Sequence, residues 1–200
     1  MNRLFIKICG MTTPEAVSTA LACEVDAIGF VFAKSVRQVT AAVACELAAP
    51  ARRKVACVAV TRHPTRAEVA DILREFRPDI LQTDIEDIDS LALPKELSVL
   101  PVLRPGAPVA CALPRRVLFE GPVSGSGQTT DWDAAAELAL RAEVILAGGL
   151  NPDNVGAALR RVRPFGVDVS SGVEDAPGIK SAAKIESFVA AARRAALEYS

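Results

Sequence analysis

Short apolar runs alternate along this chain with longer stretches in which apolar positions recur every three or four residues. The runs at residues 4–8, 26–32, 54–60, 79–82, 98–103, 116–119, 143–147 and 166–169 have strand length and predict eight strands. Helical spacing predicts helices from residue 13 to about 23, at 41–49, from 65 to before Pro78, at 131–140 and at 181–197. Thr13 followed by Pro14 and Glu15 reads as a cap with proline in the first turn, and Thr65 with Glu68 has capping-box spacing. Asn151-Pro152 reads as the cap of a further helix that runs to residue 162, and only a short helix fits near residues 86–91.

Parallel neighbours need crossover connections, so eight strands with helical connectors predict a parallel sheet. Spread over eight units, 200 residues leave 25 each. A strand of about 5, a helix of about 11 and two loops of about 4 need roughly 24. The fit is to an α/β fold, a compact single-domain (βα)8 TIM barrel over residues 1–200, near the lower size limit for such barrels. The segment 83–114 is too short for two full helices, so the outer helices there should be shortened. A doubly wound open sheet would want fewer strands and a Gly-x-Gly-x-x-Gly turn after the first, which is missing.

Composition narrows the function. Lys plus Arg number 23 against 24 Asp plus Glu, a net charge of −1, which argues against a nucleic-acid partner. No apolar run approaches the roughly 18 residues of a membrane span, and the first ten residues lack the marks of a signal peptide. Five cysteines without a Cys-x-x-Cys pair, and one histidine, give neither a disulfide framework nor a zinc set. A reducing, cytoplasmic setting is expected. No surface stripe marks an interface, which leaves a monomer or a homodimer.

In a barrel the site is built from the carboxyl ends of the strands. There this chain places Cys9-Gly10, Ser35-Val36-Arg37, Glu120-Gly121, Gly148-Gly149 and Ser170-Ser171-Gly172. Glycine turns after the last two strands, with a short extra helix starting at Ser171, are the makings of a phosphate pocket. Cys9 differs from Cys23, Cys45, Cys57 and Cys111, which read as small buried hydrophobes, because its strand end points it into the mouth. Lys7 lies two residues earlier on the same face and needs a carboxylate partner, for which Asp168 on the neighbouring last strand is the candidate. The Lys7 charge is expected to lower the Cys9 pKa. Glu120 ends an apolar strand, Val117-Leu118-Phe119, expected to keep its carboxyl partly protonated, whereas His63 in Thr-Arg-His-Pro reads as surface.

The motifs resemble those of the phosphoribosylanthranilate isomerase family. They are Lys7-Ile8-Cys9-Gly10-Met11-Thr12, Asp26-Ala27-Ile28-Gly29-Phe30-Val31-Phe32 and Ser35-x-Arg37-x-Val39. Gly125-Ser126-Gly127 with Asp131-Trp132 follows, then Ile145-Leu146-Ala147-Gly148-Gly149-Leu150 with Asn154-Val155. Last comes Gly166-Val167-Asp168-Val169-Ser170-Ser171-Gly172-Val173-Glu174 with Pro177-Gly178 and Lys180.

The resemblance implies a (βα)8 barrel that performs an Amadori rearrangement of a phosphosugar, N-(5′-phosphoribosyl)anthranilate, in tryptophan biosynthesis, without a cofactor or metal. It implies Cys9 as general base, a strand-6 carboxylate as general acid, and Arg37 as holder of the anthranilate carboxylate. The phosphate cradle falls on Gly125, Gly127, Gly148, Gly149, Ser171 and Gly172. The chain departs from the family where it has Glu120 in place of the usual aspartate, and Gln82-Thr83-Asp84 in place of Gln-Leu-His-Gly. Val36, Gln128 and Ser181 stand for a proline, a lysine and an aspartate. The competing functional reading is a non-catalytic phosphosugar-binding barrel, suggested by Glu120 and opposed by the retained Cys9. A two-aspartate barrel isomerase of histidine biosynthesis is disfavoured by Cys9.

Overall fold

The computed structural model describes residues 3–106, 113–121 and 130–198. Eight parallel strands close into a barrel in sequence order: β1 (Phe5–Cys9), β2 (Ala27–Val31), β3 (Ala56–Val60), β4 (Ile80–Asp84), β5 (Ser98–Leu103), β6 (Arg116–Phe119), β7 (Glu143–Leu146) and β8 (Gly166–Val169). The helices are α1 (Pro14–Ala22), α2 (Ala41–Ala48), α3 (Arg66–Glu75), α4 (Trp132–Ala139), α5 (Val155–Val162) and α6 (Ala182–Ala196). After β4 the connector holds only a 3-10 helix, Ile85–Ser90, in keeping with the shortened layer expected there. A second 3-10 turn, Ser171–Val173, follows β8, and a two-stranded ribbon, β9 (Glu174–Ala176) and β10 (Ile179–Lys180), leads into α6.

Local chemistry sets these boundaries. The Thr13 side chain accepts from the Ala16 N–H, with Pro14 opening α1. Thr65 and Glu68 form the full capping box of α3. Most element ends move by a residue or two from the sequence reading, and β4 runs on to Asp84 where that reading stopped at 82; two of the shifts have a plain local cause. The third strand begins at Ala56 rather than at Lys54, because residues 51–54 form turns. Asn151-Pro152 does not cap α5: Asn151 Oδ1 accepts from Asp153 and Asn154 N–H, closing a turn, and the helix starts at Val155.

Alternation along each strand splits the side chains into two layers. Ile6 and Ile8 of β1, Ile28 and Phe30 of β2, and Val167 and Val169 of β8 face outward into the helix layer, joined by Phe188 and Ile185 of α6. The inward layer is smaller: Leu100, Val102, Leu118, Ile145 and Ala147, packed with Phe5, Ile80 and Phe165. Into this apolar interior the chain puts Lys7, fully buried, opposite its register partner Asp168 across the seam that closes the barrel. Lys7 Nζ donates to Asp168 Oδ1 at 2.9 Å, so the partner expected from the sequence is the one found.

Removing one member of such a pair strands a buried charge. Lys7→Met should lower unfolding free energy by about 3–5 kcal/mol, and Lys7→Met with Asp168→Leu should recover most of it. Urea denaturation of the three proteins tests this; equal stability of the single and double variants would contradict it.

Candidate active site at the strand carboxyl ends

The inward phase of the strands carries through to their ends. Cys9, Val31, Val60, Gln82, Glu120 and Asp168, each from a different strand or the residue just past one, line one cavity at the barrel mouth. Cys9 is buried at the end of β1. Gly29 on the next strand makes room for it, since a Cβ there would stand 3.0 Å from Cys9 Sγ.

Burial is the largest influence on the Cys9 thiol and pushes it up. Lys7 and Lys180 pull it down and Asp168 adds to the rise, so the thiol stands above its usual value. The expected lowering by Lys7 is therefore corrected: its pull is present and desolvation exceeds it. Burial also opposes the Lys7 ammonium, but the charges of Asp168 and Cys9 outweigh it and hold Lys7 above its usual value. Burial lifts Asp168 above the ordinary carboxylate range despite Lys7.

Arg37 is built into a second chain of charges. Its Nε and Nη2 donate to the two oxygens of Glu174, both at 2.7 Å. Glu174 Oε1 also accepts from Lys180 Nζ at 2.6 Å, and Lys180 donates to the Ser170 carbonyl at 3.0 Å. The Ser170 hydroxyl donates to the Cys9 carbonyl at 3.1 Å, so this chain ends on the backbone of the thiol. Burial works to raise the Glu174 pKa, but the hydrogen bonds and charges of Arg37 and Lys180 outweigh it and hold it at about 2.

Glu120 is not left among apolar side chains, as its strand suggested. Its Oε1 accepts from Arg104 Nη2 at 2.6 Å, and Arg104 Nη1 donates to Asp84 Oδ1. Sequence reasoning missed Arg104, Glu174 and Lys180 as parts of the mouth. Arg104 had a signal, because positions 100, 102 and 104 share the inward phase of β5.

The glycine turns after β7 and β8 open onto the same cavity. Gly148 and Gly149 have φ of +92° and +65°, conformations that favour glycine, and a Cβ at Gly148 would meet Thr130 Oγ1 at 2.2 Å. A Cβ at Gly172 would meet the Leu150 carbonyl oxygen at 1.8 Å, so packing of the two turns already demands that glycine. Gly125, Gly127 and Cys111 lie outside the described residues. Cys57 is buried as expected, whereas Cys23 and Cys45 on helix surfaces are only half-buried.

Exposed His63, on the loop after β3, lies 3.0 Å from Asp87 of the 3-10 helix. Among the described residues, ligand atoms of His63, Asp84 and Glu86 fall within 4.8 Å of one another. Arg104 already occupies Asp84 as its cation, which makes this a poor metal site.

A family model described as N-(5'phosphoribosyl)anthranilate (PRA) isomerase matches residues 6–191. The chain belongs to that family. Its relative in Rhizobium johnstonii, named N-(5'-phosphoribosyl)anthranilate isomerase, is 40% identical over 209 residues, covering 95% of this chain and 94% of its own. The phosphoribosyl anthranilate isomerase of Thermus thermophilus matches with a TM-score of 0.84 at 31% identity, over 97% of this chain and 100% of that one. A phosphoribosyl anthranilate isomerase solved with reduced 1-(o-carboxyphenylamino)-1-deoxyribulose 5-phosphate matches with a TM-score of 0.79 at 27% identity, over 96% and 99%. The family resemblance and the barrel read from the sequence are both borne out.

The Glu174 cluster has a pH signature with a definite sign. Its folded value of about 2 lies below the ordinary 4.5, so its stabilisation is present above about pH 4.5 and is lost as pH falls toward 2. Urea midpoints between pH 6 and 2.5 should fall more steeply for the wild type than for Glu174→Gln. Parallel curves would contradict the pairing.

Proposed function

We propose that the chain catalyses the Amadori rearrangement of N-(5′-phosphoribosyl)anthranilate to 1-(o-carboxyphenylamino)-1-deoxyribulose 5-phosphate, a step of tryptophan biosynthesis. Cys9 acts as general base and Glu120 as general acid. The observation that carries the reading is that a thiol and a carboxylate line one mouth beside two glycine turns fit for a phosphate.

The chemistry follows in two stages. Glu120 gives a proton to the furanose ring oxygen as the C1′–O bond breaks, and the anthranilate nitrogen lone pair forms the C1′=N bond of an iminium. The Cys9 thiolate then takes the C2′ proton, and the freed electron pair neutralises the iminium to an enolamine. The enolamine loses its O2′ proton and gains one at C1′, which leaves the C2′ ketone. No atom is gained or lost, so no co-reactant is needed. Lys7 and Lys180 favour the thiolate against the burial that opposes it.

At one end of the substrate, backbone N–H groups of the turns at Gly148-Gly149 and Ser171-Gly172 receive the phosphate. At the other, Arg37 receives the anthranilate carboxylate through Nη1, the part of its fork that Glu174 does not take. The free thiol suits a reducing, cytoplasmic compartment. No helix among the described residues is long and apolar enough to cross a membrane.

The purified protein should convert the substrate, followed by loss of anthranilate fluorescence, and should restore growth without tryptophan to cells lacking this isomerase. Cys9→Ala should cut kcat by about a hundredfold or more with the fold intact. Glu120→Gln should be nearly inactive. Inorganic phosphate should inhibit competitively, and Arg37→Ala should raise KM. A wild type that binds the phosphosugar without turning it over would move the reading to a binding barrel. A fully active Glu120→Gln would remove Glu120 from the mechanism.

A further inference from the structure

Three neighbouring strand ends are tied together by charge at the mouth. Asp84 closes β4, Arg104 follows β5 and Glu120 follows β6, each in the inward phase of its strand. Asp84 is 1% exposed and fixed through both oxygens: Oδ1 accepts from Arg104 Nη1, and Oδ2 accepts from the His63 backbone N–H at 3.2 Å. The other arm of the guanidinium reaches Glu120 Oε1 at 2.6 Å. The backbone repeats the link, because the Glu120 N–H donates to the carbonyl of Leu103, the residue before Arg104.

We propose that Arg104, anchored by Asp84, is the positioning residue that sets the reach of Glu120 in the isomerisation. The inference rests on the reading of Glu120 as general acid. Glutamate has one more rotatable bond than aspartate, and an unrestrained carboxyl on that longer arm sweeps several positions in an open mouth. A rigid guanidinium hydrogen-bonded to one oxygen selects one of them. The anchor matters because Arg104 is itself a long, flexible side chain. Asp84, buried and held by the loop after β3, gives it a fixed end. Misplacement of a reacting group by about 1 Å costs on the order of a hundredfold in rate, so such a restraint has a large effect to give.

The test is a double-mutant cycle read as kcat and KM separately. Arg104→Met should lower kcat by about tenfold or more, with KM within about threefold of wild type. Arg104→Lys keeps the charge and loses the fork, and should recover only part of the loss. In a Glu120→Gln background the same Arg104→Met change should cost less than about twofold, because there is no general acid left to position. If Arg104→Met fails to fold with Asp84 left unpaired, Asp84→Asn with Arg104→Met removes the stranded charge and takes its place in the cycle. Equal losses in both backgrounds, or a rise in KM alone, would show that Arg104 acts on the substrate directly and overturn the proposal. Unchanged kcat would overturn it too. A wild type without turnover would take the isomerase reading down with it, whereas an active wild type with an additive cycle would remove only this inference.

Discussion

The barrel turns on one ion pair in its dry interior. Lys7 and Asp168 are register partners across the seam between the first and last strands. They meet at 2.9 Å with almost no solvent around them. Neither charge is tolerable there alone, so the seam closes only in the register that joins them. That register puts Cys9, two residues on from Lys7, and Ser170, two residues on from Asp168, side by side at the mouth. A constraint of packing thus becomes a constraint on chemistry. The same ammonium that holds the seam is the cation nearest in effect to the thiol, and it opposes, without outweighing, the desolvation that favours the proton on sulfur.

The mouth as a whole is organised by cations shared between carboxylates or by carboxylates shared between cations. Glu174 gathers Arg37 and Lys180, while Arg104 is gathered by Asp84 and Glu120. Long side chains on loops are entropically expensive to hold in place, and paired hydrogen bonds from a planar guanidinium hold them at defined angles. Glycine turns supply the opposite quality, backbone with no side chain in the way. Together they make a cavity with a thiol and a carboxyl at its walls and glycine-bearing turns at its edge.

Much of this was legible in the sequence because barrel geometry converts a one-dimensional period into a place. Lys7 and Cys9 share a face by spacing alone, and Asp168 follows from strand order. The glycines after β7 and β8 were visible as turns, although Gly172 turned out to be required by Leu150 packing as much as by any ligand. What was not legible depends on distances between loops. That Arg37 is clamped by Glu174, 137 positions away, has no local signature. The fate of Glu120 was misread because the apolar residues preceding it on β6 alternate faces, and the neighbour that matters, Arg104, comes from another strand. The Cys9 thiol was misjudged for a related reason: a charge two residues away is plain in the sequence, but the depth of burial is not.

A crystal structure with the reduced product, 1-(o-carboxyphenylamino)-1-deoxyribulose 5-phosphate bearing a reduced C2′, tests the central claim most directly. The account predicts its phosphate on the turns after β7 and β8, C2′ within about 3.5 Å of Cys9 Sγ, and the oxygen from the opened ring within hydrogen-bond reach of Glu120. A ligand seated with its ends reversed, or with Cys9 and Glu120 remote from those two atoms, would contradict it.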